Sequence, residues 1–576
     1  MALRPLEDIT PPVKTETSVP LARRSASIAR WLVIYGLLLG GATVFAIPFI
    51  WMIGTSLKVD REMFGEGITL LPKRPVPAER SPYLDAGYFP GPRSEQAARI
   101  QPWLLEHLAA MPAEADGTGV SPEQRAAALF PGIYRRLNDT VPAEAWSLPD
   151  DALAEALTAR IDTGMVAGVH RAIFRPLEFS SLRVRSLDLQ EQELSTGRPI
   201  SSLWILSENA PATWQDVVRS TGPAGVLAYD FRDRRGATFT MTADLTLPFM
   251  ADRLHRIQVS ILPDDSWHRI DFAFERNGVR YEATRPVFLG DNQALVATLQ
   301  EFGPEDASHS GKIRLWYACR ETDRGPHFES RPDRVRVTAT FSQASQLDAW
   351  WAKANRNYRG ALNYIPFGRY VATSAFLVIL NIVGTIISCS LVAFAFARLQ
   401  WPGRQFSFAL MMATMMIPPQ VTMIPYFLII KHLGWYNTLN PLWVISFFGN
   451  AFNIFLLRQF MKGIPRDLED AARIDGCNFL QVYWHVIMPL IKPTLACIGI
   501  FTFMGVWNDF MGPLIYLSDQ SLYPLSLGLY ALNVQEGGNY GMMMAGSFLM
   551  TLPVVIIFFF AQKYFIQGVT LTGMKG

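Results

Sequence analysis

Hydrophobic and polar positions divide this 576-residue chain unevenly. Crossing a ~30 Å hydrocarbon layer takes ~20 apolar residues. Runs of that kind lie at 31–55, 371–397, 406–429, 440–460, 494–517 and 543–565, and they predict six membrane-spanning helices. Between the first and second runs, residues 57–369 have the texture of a soluble domain. The first run, WLVIYGLLLGGATVFAIPFIWMIGTS, exceeds the about 7–15 apolar residues of a cleaved signal, so an uncleaved anchor is expected.

The polar stretch has two patterns of its own. Residues 93–178 carry Ala-rich amphipathic segments, such as EQAARIQPWLLEHLAAM and PDDALAEALTARI, and read as helical. Residues 181–343 read as antiparallel β structure. In 268-HRIDFAFERNGVRYEATR-285, Ile270, Phe272 and Phe274 alternate and Asn277-Gly278 supplies a two-residue hairpin turn. Further strands are expected near 226–231, 237–243, 256–262, 294–300, 312–318 and 334–342, a spacing that suggests a sandwich. Trp204, Trp214, Trp267 and Trp316 are either sugar-stacking rings or, as is commoner, β-domain packing. Residues 346–367 predict a returning helix, with Trp350 and Trp351 suited to a headgroup zone.

Charge then orients the spans. Lys and Arg crowd the N-terminus (Arg4, Lys14, Arg23, Arg24, Arg30), the turn at Arg398 and Arg404, the segment from Arg458 to Lys492, and the tail with Lys563 and Lys575. The loop between spans three and four has only Lys431, and residues 518–541 have none. Positive charge favours the cytoplasm, so both termini are expected inside and 57–369 outside a multi-pass (inner) membrane protein. The net charge of +2 comes with no basic run that suggests nucleic acid. Four cysteines, one of them in the polar stretch, allow that stretch no disulfide of its own. Dispersed histidines and the lack of a CxxC give no metal site, and there is no GxxxxGK[ST] phosphate loop. Adjacent Asp264 and Asp265 read as a turn, not as a catalytic acid pair. No catalytic residue, cofactor or metal is therefore expected in this chain.

Polar residues inside the spans are the candidates for a solute path. Pro418 and Pro419 in 417-IPPQ-420 free backbone groups, either in a merely kinked helix or in a broken one lining a path. Asn508 and Asp509 sit in GVWNDFMGPLIY, where an ionisable group either faces a watery interior or makes a structural hydrogen bond near one interface. Asn453, like Asn381 and Asn450, is either a path residue or interhelical glue.

One polar stretch on the cytoplasmic side is organised differently. In 465-PRDLEDAARIDGCNFLQVYWHVIMP-489, Pro465 starts a helix, and Asp467, Glu469 and Asp470 suit its positive end. Gly476 is placed to close it in a left-handed cap, and Asn478 to cap a second helix. That helix carries an apolar stripe of Phe479, Val482, Tyr483, Val486 and Ile487, and Pro489 ends it. At ~15 Å the first helix is too short to span a membrane.

The run Asp470-Ala471-Ala472, then Asp475-Gly476, then Ile487 (within one place) and Met488-Pro489 resembles the EAA loop of ABC-importer permease subunits. Asp stands for Glu and Met for Leu. FAFARLQWPGR, MMIPPQVTMIPYFLIIKHLGWYNT, VWNDFMGPLIYL and QKYFIQGVTLTGMKG are similar to the carbohydrate branch, to the smaller permease of maltose and glycerol-phosphate type systems. The resemblance covers about 28–60 and 355–576, and the insert departs from it. It implies a mainly α fold: a six-helix transmembrane permease bundle with an inserted α+β extracytoplasmic domain, helical and then β-sandwich-like. It implies domains at 1–30 (cytoplasmic segment), 31–55 (first span), 57–369 (insert), 371–565 (five-helix core) and 566–576 (tail). It implies sugar import by alternating access, with Asp470, Ala471, Ala472, Asp475, Gly476, Ile487 and Pro489 coupling to an ATPase subunit that holds ATP and Mg. A second permease subunit, an extracytoplasmic solute-binding protein and the lipid bilayer complete the expected partners. A membrane receptor with a ligand-sensing outer domain is the alternative, and it predicts a cytoplasmic effector that the short tail does not offer.

Overall fold

The computed structural model describes residues 21–63, 69–112, 117–188, 190–219, 222–233, 236–291, 293–301, 317–324, 331–535 and 539–570. Arg4, Lys14, Trp316, residues 312–316 of one expected strand and the tail from 571, with Lys575, lie outside them.

Helices dominate, joined to a separate, large curled β sheet. The helix Phe367–Arg398 is the hub of the apolar part. It packs against Ala451–Lys462, Lys492–Trp507 and Leu525–Gln535. Close approach relies on small residues: a Cβ on Gly384 would lie 2.6 Å from the Phe447 ring, and one on Gly528 2.2 Å from Tyr370. The helix Leu21–Ser56 leans on Tyr540–Thr570, and its large apolar side chains from Trp31 to Ile53 stay largely exposed, as suits a face toward lipid.

The spans are less regular than the hydrophobic runs predict. Among the described residues, four helices are long and apolar enough to cross a membrane, or up to six if each of two bent pairs counts as one span. The run at 406–429 divides into Arg404–Thr414 and Pro419–His432, bent by 96° where Pro418 and Pro419 interrupt the hydrogen-bond ladder. The run at 440–460 is α-helical only from Ala451, after short 3-10 turns. The run at 494–517 stops at Trp507 and resumes as Met511–Tyr516. Hydrophobicity locates such segments but does not report local breaks in backbone hydrogen bonding.

In the insert, the helices Glu95–Ala110, Pro122–Thr140, Asp150–Thr158 and Thr163–Ile173 enclose one apolar core with Leu104, Leu129, Ile133 and Leu137 at its centre. The β part is one hydrogen-bonded sheet of fourteen strands among the described residues, not the two sheets of a sandwich. Its halves curl over a common core. Leu182, Val184, Ile257 and Val259 from one side share it with Ile270, Phe272, Met241 and Val337 from the other. The parallel pairing of Leu295–Glu301 with Tyr317–Arg324 joins the halves. The hairpin forms as expected: Arg269–Arg276 pairs with Val279–Ala283 across Asn277 and Gly278, at φ +51° and +73°. Trp204 and Trp267 are buried, and Trp214 meets Phe179 edge-on, so these rings belong to packing. Asp264 is fully buried and accepts from Tyr229 Oη at 2.6 Å, a structural role.

His268 ties together the two legs by which the chain reaches and leaves the sheet. Its Nε2 donates to the Ala78 carbonyl at 2.7 Å, and its Nδ1 accepts from the Ala344 N–H at 3.2 Å. That arrangement requires neutral imidazole. Burial pushes its pKa below the ordinary 6.5, with Asp264 opposing. The unfolded chain thus binds the proton more readily, and stability is full above pH 6.5 and falls as the pH drops toward the depressed value. We expect the melting temperature of the full chain to fall below pH 6.5, with a slope of up to about 1.4 kcal/mol per pH unit from this group. His268→Gln should flatten that slope in melts between pH 7.5 and 5, and an unchanged slope would contradict it.

Candidate functional site: a polar cavity and a short helical loop

Two apolar cores divide the helical bundle. One gathers Tyr370, Val378, Phe503 and Leu525, and the other Cys389, Ala393, Leu457 and Tyr483. Between them lies a cavity of about 410 Å³ lined by Asn381, Thr385, Ser446, Asn450, Asn453, Thr502 and Gly505, among others. Asn381 and Thr385 flank the midpoint of the helix Phe367–Arg398. Asn381 donates to the Leu442 carbonyl at 3.0 Å and accepts from Ser446 Oγ, so it fixes the 3-10 segment against the helix. Asn450 caps Ala451–Lys462 by accepting from the Asn453 N–H at 3.2 Å.

Of the path candidates, Asn453 lines this cavity. Asn508 lies at the end of Lys492–Trp507, exposed and donating to the Met504 carbonyl. Asp509 sits in the break beyond it. Its Oδ1 accepts from the Gly512 N–H at 3.1 Å, and its backbone carbonyl accepts from Ser526 Oγ. Pro418 and Pro419 are exposed at the bend. Thr385 and Thr502 were not singled out in the sequence; inside apolar runs, only the fold tells a path residue from a helix-bonded hydroxyl.

The loop is built as its residues dictate. Asp467–Ile474 forms the first helix, with Asp467, Glu469 and Asp470 in its first turn. It closes in a Schellman motif: the Cys477 N–H reaches the Ala472 carbonyl at 2.9 Å, and the Gly476 N–H the Arg473 carbonyl at 3.0 Å. Gly476 has φ +88°, where a Cβ would be strained although no atom lies within 4 Å of it. Asn478 and Gln481 form a capping box for the second helix. Of its stripe, Val482, Tyr483 and Ile487 are buried and Val486 half-buried, while Phe479 is exposed. Pro489 does not end this helix as expected: after the π turn Val482–Ile487 the chain stays helical through Met488–Leu490, where proline at the start of a turn needs no N–H bond, and it breaks at Ile491.

The loop's outer face remains open. Asp470, Ala471, Asp475 and Gly476 are exposed, Ala472 is half-buried, and Leu468 and Ile474 present apolar side chains to solvent. Its inner face is rooted by a pair that sequence reasoning missed. Arg398 Nε lies 2.7 Å from Glu469 Oε1, both side chains being at least 95% buried. Arg398 also donates to the carbonyls of Met461 and Ile464. Glu469 is the one buried acid in a helix of exposed ones, and its distance from Arg398 in sequence hid the partnership.

Most of this arrangement, short capped helices against a bundle of apolar ones, falls within one family match. The family described as binding-protein-dependent transport system inner membrane component matches residues 389–571, which include both the cavity's later elements and the loop. The arabinooligosaccharides transport system permease protein AraQ of Bacillus subtilis is 35% identical over 208 residues, covering 36% of this chain and 74% of that protein. The chain belongs to this family of transport permeases. The galactooligosaccharides transport system permease protein GanQ of Bacillus subtilis is 30% identical over 215 residues, 37% of this chain and 76% of that one. Among solved structures, a bacterial ABC transporter involved in the import of the acidic polysaccharide alginate matches at 29% identity. It covers 36% of this chain and 79% of that one, with a TM-score of 0.34. The chain is thus a multi-pass membrane permease subunit of an ABC importer, a transport component and not an enzyme. The receptor alternative has no support among these relatives.

Proposed function

We propose that this permease imports a saccharide or related solute by alternating access, through the polar cavity between its two apolar cores. The substrate class rests on relatives named for arabino- and galactooligosaccharide transport. In this reading a second permease subunit faces the open cavity, and Asn453 contacts solute. Asn508, Asp509 and the Pro418–Pro419 bend form the path's outer portion. A solute-binding protein delivers from outside, and 57–369 is extracytoplasmic.

The observation that carries the mechanism is the loop 465–489: an exposed short helix on a buried ionic root. Asp470, Ala471, Ala472, Asp475 and Gly476 form the contact surface for an ATPase subunit, which holds ATP and Mg. Ile487 and Pro489 seat the second helix so that ATPase closure moves the spans. Gly476→Val places a branched side chain at positive φ, a cost of about 1–2 kcal/mol. Recovery of the ATPase with the solubilised permease should drop several-fold, and so should uptake of labelled oligosaccharide. Asp470→Lys should do the same without backbone strain. Normal recovery and uptake in both variants would refute the coupling role. For orientation, cysteines placed at Ser518 and Ser181 should react with an impermeant reagent from outside; protection of both would invert the topology.

A further inference from the structure

One end of the helical bundle gathers cations that no acid offsets. There the helix Phe367–Arg398 finishes, Arg404–Thr414 begins, and Ala451–Lys462, which packs on both, finishes too. Arg458 stands between the three. Its side chain is buried, with its guanidinium carbon 3.8 Å from the centre of the Phe408 ring. Its Nε donates to the Phe396 carbonyl at 3.4 Å. Its two terminal nitrogens have no hydrogen-bond partner among the described residues and are not enclosed, so a group from outside reaches them.

Two more cations lie close by. Arg404 is one helical turn from Phe408, and Lys462 one turn from Arg458, so the three charges converge and repel one another. Arg404 donates to the Leu399 carbonyl at 2.8 Å, and Lys462 is exposed with no bond among the described residues. The acids of the neighbouring loop do not offset them. Glu469 pairs with Arg398, and neither Asp467 nor Asp470 forms an ion pair with these three. A guanidinium taken almost wholly out of water beside like charges is costly unless an anion joins it.

The surroundings suit that anion to a lipid. Trp401, exposed at the rim, packs on Phe396 with ring centres 5.7 Å apart, and tryptophan favours the headgroup level. Phe406 and Leu410 of the helix Arg404–Thr414 are exposed and apolar, a surface for acyl chains that a free anion would not use.

We propose that Arg404, Arg458 and Lys462 form a headgroup site for an anionic phospholipid. Its phosphate accepts from the guanidiniums, whose planar forks match phosphate oxygens, and Lys462 adds a point charge. Basic pockets between helices at a membrane edge hold such headgroups. Bound lipid ties Arg404–Thr414, the segment before the bend at Pro418 and Pro419, to Ala451–Lys462. The site depends on neither the coupling role of the loop nor the identity of the solute.

The test is native mass spectrometry of the full chain released from discs of equal phosphatidylcholine and phosphatidylglycerol. Retained phosphatidylglycerol should exceed phosphatidylcholine by at least about fivefold, the worth of one basic residue at an anionic surface. Arg404→Ala/Lys462→Ala spares the buried side chain and should at least halve that excess. Lys73→Ala/Arg74→Ala removes the same charge from exposed positions of the insert and should leave it intact. Equal retention of the two lipids, full excess in the first double variant, or the same loss in the second would each overturn the proposal. So would displacement of the lipid by inorganic phosphate, which would assign the cations to a free anion. Loss of the lipid once a second permease and the ATPase are bound would overturn it too, by assigning them to a protein partner.

Discussion

Replacing Arg398 with alanine should unseat the loop 465–489 and stop transport. The guanidinium ends the helix Phe367–Arg398 and holds Glu469 and two backbone carbonyls at once. Without it the Glu469 carboxylate stays in a nearly dry site with no counter-charge. Breaking a buried pair from one side costs about 3–5 kcal/mol, because the remaining charge is uncompensated. At about 1.4 kcal/mol per factor of ten, the docked population of the loop falls by a hundredfold or more. The expected result is a lower melting temperature and loss of ATPase co-purification, with surface expression retained. Arg398→Met combined with Glu469→Leu should recover most of the stability, since an apolar pair of similar volume often equals a buried ionic one. An Arg398→Ala protein that melts and binds its ATPase normally would show the pair to be dispensable.

That pair also marks where the sequence ceases to be readable. The loop's local grammar was legible: Gly476 at a left-handed cap, Asn478 in a capping box and the buried Val482, Tyr483 and Ile487 all follow from spacing of a few residues. The Asn277-Gly278 turn and the alternation of Ile270, Phe272 and Phe274 were legible for the same reason. What failed to show was anything set by distant partners. The sheet closes as one curled surface because Leu295–Glu301 meets Tyr317–Arg324, a pairing no local pattern announces. The breaks at 415–418 and 508–510 interrupt runs whose hydrophobicity is continuous. Of the path candidates, Asn453 reaches the cavity with Asn381, Thr385 and Thr502; polarity alone could not separate a lining residue from a cap such as Asp509.

Lys353→Met should loosen the insert at its base by a comparable amount. Lys353 lies on the helix Gln346–Tyr364, which leads into the hub helix; Glu62 lies on the single turn Asp60–Met63, just beyond the first apolar helix. Both side chains are over nine-tenths buried, and Lys353 also donates to the Lys73 carbonyl at 2.7 Å. The pair therefore joins the incoming and outgoing legs of the insert. One turn along, Asn357 donates to the carbonyls of Ser56 and Lys58, and Arg356 reaches the buried Asp291, in the connection between the strands Val287–Phe288 and Leu295–Glu301, at 2.7 Å. Methionine keeps the apolar stem but strips Glu62 of its counter-ion while its second oxygen is already without a partner. A loss of about 3–5 kcal/mol is expected. Because the neighbours share one network, Lys353→Met and Asn357→Ala should combine non-additively. The effect should appear as faster proteolysis within 57–89 and 343–365, with the helices after 367 still protected. Uniform cleavage along the whole chain would mean that the pair supports global folding and not the junction. Protection equal to the unaltered protein would mean that the remaining contacts, Asn357 and Arg356 above all, hold the two legs without it.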